Sequence, residues 1–308
     1  MDNKFPGKDI SVEDLKTKFP LVAKKNKNHK SKFKVAGVEF GGNTIPIFAG
    51  PNMVESEKLI MDVAKNVKKI GAHFLRGGAF KPLTFPYRSK KYYETKEQGI
   101  EWMYNAKQKY KIPIITEVME EKYLPLVSEV ADIIQIGSRN MQIFPFLTAC
   151  AKTQKPLMLK RHYGASLRDW LGAAEYLMVE GNKKILLCER GVSVPHTHRS
   201  TSRFLLDLQV VPAAQEITHL PIIVDPSHAT FWRPWVHSMA LAGVASGADG
   251  IMLEVHPDPK NSAVDPLQPI NYKDFNLLVK QMNILACKVL KKNILVRKVL
   301  KKSIKFFY

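Results

Sequence analysis

Five basic residues, Arg76, Lys81, Arg139, Lys160 and Arg190, stand at or just after the ends of short apolar runs in this chain. Like charges gathered in one place repel, so such a set makes sense only around something strongly anionic. Arginine grips phosphate or carboxylate as a two-pronged fork, lysine as a point charge. A small molecule carrying both groups would match. Separate ion pairs with Glu117, Glu189 and Glu254 are the plain alternative, but those acids are outnumbered. Ser138, next to Arg139, adds a hydroxyl. His228, Glu254 and Asp265 offer one imidazole and two carboxylates, an acceptable donor set for a divalent ion. A softer fourth ligand would belong after the run Ile47-Phe48-Ala49-Gly50-Pro51. That place holds Asn52, which cannot ionise.

The elements that must position these residues follow a rhythm. Short apolar runs occur at 45–50, 73–78, 112–118, 132–138, 156–161, 184–191, 220–228 and 250–257. Rich in Ile, Leu and Val and with little alternation, they read as strands buried on both faces of a parallel sheet. Between them lie helix-like segments, among them 56–71, 166–181 and 271–282, several of them stopped at Gly. Eight β–α repeats predict the α/β class and a single (β/α)8 barrel. No GxGxxG follows the first run, which argues against a doubly wound sheet. In such a barrel all eight strand ends meet on one rim, gathering the cations with Glu117, Asp225, His228, Glu254 and His256.

The net charge of +19 lies mostly outside this barrel. Residues 1–34 carry ten lysines against four acids, a net +6, and residues 288–308 carry eight bases and no acid, leaving only +5 for the middle. We therefore divide the chain into a Lys-rich extension (1–34), a catalytic barrel (35–287) and a basic amphipathic tail (288–308). The extension offers one short helix, 10–19. The tail reads as a helix packed on the barrel or a partner subunit with its lysines solvated, rather than one that contacts a membrane or nucleic acid. Cys150, Cys188 and Cys287 form no CxxC, which argues against a disulfide framework or a thiolate zinc site and points to a reducing cytoplasm. Cys188 reads as core. No apolar h-region opens the chain, and no run approaches the ~18 apolar residues of a membrane span. The cluster HTHRSTSRF (196–204) is either a lid over the rim or a solvated loop leading into a helix at FLLDLQVV. Trp232, Arg233 and Trp235 either line a substrate pocket or pack.

The motifs AGPNMVES (49–56), LRGGAFKP (75–82), DIIQIGSRN (132–140), LMLKR (157–161), ILLCERG (185–191), IVDPSH (223–228) and EVHPDP (254–259) occur in that order. Over about residues 35–285 the chain resembles the phosphoenolpyruvate–aldose-phosphate condensing enzymes. These are the 3-deoxy-arabino-heptulosonate 7-phosphate (DAHP) synthases of the compact microbial subtype and their sisters, the 3-deoxy-manno-octulosonate 8-phosphate synthases. The resemblance implies a TIM barrel, a cytoplasmic dimer or tetramer with no nucleic-acid partner, and an aldol-like transferase reaction. Phosphoenolpyruvate would condense with an aldose phosphate and release phosphate; with erythrose 4-phosphate this is the first step of the shikimate pathway. It further implies that Arg76, Lys81, Ser138, Arg139, Lys160 and Arg190 bind substrate. Lys81, His228 and Asn52 would take part in catalysis, and His228, Glu254 and Asp265 would hold the divalent metal of metal-dependent members.

GSRN, LKR and CERG resemble the heptulosonate branch rather than the KANRSS and CDRG of the octulosonate branch. Two departures stand out. Asn52 replaces the Cys of metal-dependent members, as in metal-independent octulosonate synthases, so the expectation is a site that works without a tightly held metal, its amide bonding a water or the acceptor. Lys81-Pro82-Leu83-Thr84-Phe85 replaces the family's KPRTS. Losing that fork on the acceptor phosphate should cost roughly 1.5–3 kcal/mol unless Arg88 or another basic residue compensates. Two alternatives therefore stay open: an octulosonate synthase using arabinose 5-phosphate, and a phosphoenolpyruvate-binding homologue acting as sensor or partner. Only a short segment precedes the first run, so the family's separate N-terminal regulatory domain is not expected.

Overall fold

The computed structural model describes residues 12–81, 94–196, 198–199, 203–290 and 294. Its centre is a closed barrel of eight parallel strands. They are β1 (Ile47–Gly50), β2 (Phe74–Arg76), β3 (Ile114–Val118), β4 (Ile133–Ile136), β5 (Leu157–Lys160), β6 (Ile185–Glu189), β7 (Ile222–Val224) and β8 (Gly250–Glu254). Each pairs with its chain neighbours, and β8 returns to β1 with Glu254 opposite Gly50. All eight fall inside the expected runs.

The runs lack visible alternation because both faces are apolar. One face packs outward on the helices; the other fills the barrel with Phe48, Phe74, Ile115, Ile133, Met158, Leu186, Cys188, Ile223 and Met252. Side chains two apart share a strand face. Two residues beyond these interior positions stand Gly50, Arg76, Glu117, Gln135, Lys160, Arg190, Asp225 and Glu254. The functional layer is thus the next interior layer of the barrel, reached by the period of the strand itself. At Gly50 a Cβ would sit 2.0 Å from the Arg76 carbonyl oxygen, so β1 can approach β2 here only with glycine.

The outer helices follow their sequence signals. Helix α1 (Glu57–Ile70) starts where the Ser56 hydroxyl accepts from Leu59 N–H and stops at Gly71; Ile60, Val63, Ala64 and Val67 form its buried face. Then come α2 (Lys96–Tyr110), α3 (Leu124–Val130), α4 (Phe144–Lys152) and α5 (Leu167–Val179), the last opened by a Ser166–Asp169 capping box. Helices α6 (Val210–Ile217), α7 (Arg233–Ala245) and α8 (Tyr272–Leu285) complete the ring.

At the floor of the barrel the hairpin Phe33–Val35/Val38–Phe40 turns on Ala36 and Gly37, both at positive φ, as a tight two-residue hairpin requires. Phe40 is fully buried and stacks on Phe48 (6.0 Å between ring centroids) and against Phe74 (5.7 Å). The boundary expected at residue 34 falls within this hairpin. Upstream, the Glu175 carboxylate accepts from both Leu21 and Val22 N–H, tying that segment to α5. The short helix expected over 10–19 spans Val12–Lys18. The tail beyond residue 290, Ile294 excepted, lies outside the described residues, as do Leu83, Phe85 and Arg88. The helix expected at FLLDLQVV is a correction. Phe204–Leu205 form a strand antiparallel to Val192–Ser193, and α6 begins only at Val210, where Asp207 Oδ1 accepts its N–H. Backbone pairing with Val192–Ser193 overrides the local helical pattern. Among the described residues no helix is long and apolar enough to cross a membrane.

Candidate active site

At the C-terminal ends of the strands lies a cavity of about 600 Å³. All five predicted cations, Arg76, Lys81, Arg139, Lys160 and Arg190, reach its wall, with Ser138 and His228. Arg76 and Lys160 are only 4% exposed. Lys160 Nζ donates to Asp225 Oδ2 at 2.7 Å, and Arg76 Nη1 stands 3.7 Å from Glu254 Oε2. Among the described residues, Arg76 Nε and Nη1 and Arg190 Nη1 are buried donors with no hydrogen-bond acceptor. Buried donors are normally satisfied, so these point to an acceptor that the described residues do not supply.

The site's electrostatics follow from burial. Burial pushes the Lys81 pKa down, with Glu117 opposing and Arg76 adding to the fall. Burial lifts the Asp225 carboxyl, but His228 and Lys160 outweigh it and hold the acid well below its usual range. Burial likewise drives the His228 pKa well below its usual value, against the pull of Asp225. Its Nδ1 lies 2.9 Å from Asp225 Oδ2, an ion-pair distance without the alignment of a hydrogen bond. Burial pushes Glu254 up to about 8, with Arg76 opposing.

Three expected site residues lie off this cavity. Asn52, 1% exposed, faces a void of about 10 Å³ behind Arg76 and Glu117, room for one water. Its Nδ2 donates to Asp265 Oδ2 at 2.9 Å. Glu254 Oε2 accepts from Gln268 Nε2, a partner the sequence did not single out. His228 Nε2 is 3.9 Å from Glu254 Oε2. A divalent ion needs converging, deprotonated donors. Here Asp265 Oδ2 accepts from the Asn52 amide and Glu254 Oε2 accepts from Gln268. Among the described residues no three His, Cys, Asp or Glu side chains are grouped to hold a metal. The set His228, Glu254 and Asp265 therefore does not fit a metal ion as arranged.

Two residues just past strand ends, Arg161 and the rim candidate His256, are engaged by neighbouring carboxylates. Arg161 is bound up with Glu189 Oε2 (3.0 Å) and Asp207 Oδ2 (2.8 Å), and His256 faces Glu55 at 3.3 Å. Arg233 packs, donating to the Pro269 carbonyl, while Trp235 lines a separate cavity of about 290 Å³. Cys188 is fully buried among the barrel's interior side chains. The cavity wall also carries Glu117, Gln135, Tyr163, Ser193, Arg203 and Phe204. Glu117 stands on the rim as expected; Gln135 could have been found by counting two beyond Ile133, and Tyr163 had no signal. Arg203 and Phe204 come from the cluster read as lid or loop.

Comparison with known proteins places this geometry. The DAHP synthetase I family model matches residues 22–290. The phospho-2-dehydro-3-deoxyheptonate aldolase of Thermotoga maritima is 37% identical over 286 residues, covering 92% of this chain and 83% of that protein. The 2-dehydro-3-deoxyphosphooctonate aldolase of Pisum sativum is 31% identical over 247 residues, covering 71% of this chain and 80% of its own. The crystal structure of the Thermotoga maritima DAHP synthase superposes with a TM-score of 0.82 at 37% identity, over 89% of this chain and 78% of that one. A truncated form of the Thermotoga enzyme gives 0.80 at 36% identity, over 90% of this chain and 99% of that one. An eight-stranded barrel with cations at its strand ends, matched by that family model and by these relatives, belongs to the DAHP synthetase I family.

Proposed function

We propose that this enzyme condenses phosphoenolpyruvate with erythrose 4-phosphate, giving a 3-deoxy-heptulosonate 7-phosphate and inorganic phosphate. Phosphoenolpyruvate-dependent condensation with an aldose phosphate is the reaction of its family, and the higher identity of the heptonate relative favours the four-carbon acceptor. The observation that carries the reading is the convergence of five cations, two with unfilled buried donors, on one cavity.

In this reading Arg76, Lys160 and Arg190 hold the phosphate and carboxylate of phosphoenolpyruvate and fix its C2–C3 double bond beneath the acceptor aldehyde. The π pair at C3 forms the new bond to the aldehyde carbon, and the carbonyl oxygen takes up the negative charge. Lys81, on the same wall, stabilises that oxygen and supplies its proton. Positive charge at C2 is quenched by water. Glu117, which accepts from Gln135 Nε2, takes the proton that water gives up. The C2–O bond to phosphate then breaks with its electron pair, the new C2 hydroxyl passing its proton to the departing phosphate and becoming the ketone. Donors fixed in advance around the developing charges lower the barrier without reorganising at the moment of reaction.

The exposed side chains of Ile143, Phe144, Tyr176 and Val179 on and beside α4 and α5 support a homo-oligomer. Three unpaired cysteines support a reducing, cytoplasmic setting. The test is phosphate release from phosphoenolpyruvate with four- and five-carbon aldose phosphates, with and without EDTA. Release with erythrose 4-phosphate in preference to arabinose 5-phosphate is expected. The reverse preference assigns the octulosonate reaction, and tight phosphoenolpyruvate binding without release overturns the catalytic reading.

A further inference from the structure

The cations of the cavity are not equivalent. Lys160 is paired with Asp225, Arg76 stands near Glu254, and neighbouring Arg161 is held by two carboxylates. Arg203 differs. Its guanidinium lies over the Phe231 ring, 4.4 Å from the centroid, and 5.7 Å from that of Phe204. No carboxylate among the described residues pairs with it. It is exposed, while Arg76 and Lys160 are buried, so it stands at the mouth and they at the depth of the same cavity.

Two observations show that this placement is held rather than incidental. Phe231, which supports Arg203, closes the short helix Pro226–Thr230 as its left-handed C-cap (φ +51°), its N–H donating to the Ser227 carbonyl, so the backbone that carries the ring is fixed. Phe204 carries the Arg190 guanidinium 4.4 Å above its ring, so one aromatic platform brings two arginines to the same wall. Burial lowers the Arg190 pKa most, Asp225 and Glu189 pull it back up, and the like charge of Arg203 adds a smaller push down. An arrangement that spends aromatic contacts to bring like charges together is relieved by an anion between or beside them.

Phosphoenolpyruvate does not exhaust the positive charge. It brings one phosphate and one carboxylate, which the deeper set of Arg76, Lys81, Lys160 and Arg190 can neutralise. Its partner brings a second phosphate, and that phosphate must lie toward the mouth, because its aldehyde has to reach phosphoenolpyruvate below. We infer that Arg203, held by Phe231 and Phe204, is the anchor for the phosphate of the aldose-phosphate acceptor. Tyr163, whose ring lies 5.5 Å from Phe204, and Ser193 stand on the same wall and bring hydroxyl groups to that end. This assignment rests on the condensation reading and gives it a phosphate-selective second subsite.

The test compares two acceptors on the full-length enzyme, erythrose 4-phosphate and erythrose itself, by phosphate release from phosphoenolpyruvate. Losing a charge-assisted fork on phosphate should raise the KM for erythrose 4-phosphate roughly ten- to hundredfold in Arg203→Gln. Arg203→Lys should fall between the two. The KM for phosphoenolpyruvate and the rate with unphosphorylated erythrose should stay within about twofold of wild type. Binding of phosphoenolpyruvate, followed by calorimetry, checks that the variant is folded. An active wild type with unchanged acceptor KM in Arg203→Gln overturns the anchor alone. So does an equal loss with both acceptors, or lost phosphoenolpyruvate binding, either of which would put Arg203 on the first substrate or in the fold. A wild type that releases no phosphate with any acceptor overturns the condensation reading, and the anchor with it.

Discussion

Asn52 Nδ2 donates to Asp265 Oδ2 at 2.9 Å, closing with an amide the corner of the site where a metal ion would need a ligand. Among the described residues the buried Asn52 oxygen has no hydrogen-bond partner, and the side chain faces a void the size of one water. Turnover by the purified enzyme is therefore expected to survive exhaustive chelation. Metal analysis paired with the EDTA-treated rate checks this, and a stoichiometric transition metal needed for turnover would contradict it. Asn52→Ala leaves Asp265 without its donor and should lower stability by about 1–3 kcal/mol in urea unfolding.

Lys160 and Asp225 form a buried pair at 2.7 Å, and Asp225 also accepts His228 N–H. Asp225→Asn leaves a buried ammonium without a countercharge. A loss of about 3–5 kcal/mol is expected, seen as a midpoint roughly 10 °C lower in thermal unfolding. The double change Lys160→Met, Asp225→Leu removes both charges and should recover much of that stability. It should not recover phosphoenolpyruvate binding. A double variant that binds phosphoenolpyruvate normally would remove Lys160 from the substrate site.

Arg161 ties β5 to Glu189 on β6 and to Asp207, three residues beyond Phe204. Its Nε also donates to the Ala165 carbonyl at 3.0 Å. Arg161→Lys keeps the charge and loses the fork. It should lower stability by about 2 kcal/mol. It should also raise the KM for phosphoenolpyruvate severalfold, because Phe204 supports Arg190. Unchanged kinetics beside a lower melting point would make the clamp structural only.

His73 carries a pH signature away from the site. Burial drives its pKa from 6.5 to about 4, against a hydrogen bond to the Ile294 backbone, while Nδ1 accepts from Ile47 N–H at 3.1 Å. The folded state resists a proton that the unfolded chain takes up below pH 6.5. Stability from this residue is complete above about pH 6.5 and is lost as pH falls toward 4, up to the order of 3 kcal/mol. His162, His219 and His228 are shifted in the same direction, so the whole protein should weaken on acidification. His73→Asn should flatten the slope of unfolding free energy over that window, measured by urea titration at successive pH values. An unchanged slope would remove His73 from the acid response.

The barrel and its cations were legible because strand ends in this fold share one rim, and charge after an apolar run marks a strand end. Asn52, four residues beyond interior Phe48, faces a small void shared with Arg76, Glu117 and Gln135 rather than the main cavity, a distinction that strand-end counting does not make. Glu254 reads as a metal ligand from its type alone; that Gln268 and Arg76 crowd it and burial raises its pKa is a property of packing. Arg203 was part of a visible cluster, but its place depends on the pairing of Phe204–Leu205 with Val192–Ser193, a long-range event invisible to local pattern. The replacement of the expected acceptor grip by Leu83 and Phe85 falls outside the described residues.

The aromatic hairpin beneath the barrel has a kinetic consequence. With Phe40 sealed against Phe48 and Phe74, the described residues close the way to the buried cations from below. Among the described residues both substrates and both products share the upper opening, so traffic is single file. A molecule seated on Lys160 and Arg76 must enter before, and leave after, one seated at Arg203. Initial-rate patterns should show compulsory order, with phosphoenolpyruvate first, and an analogue of the aldose phosphate should trap phosphoenolpyruvate in place.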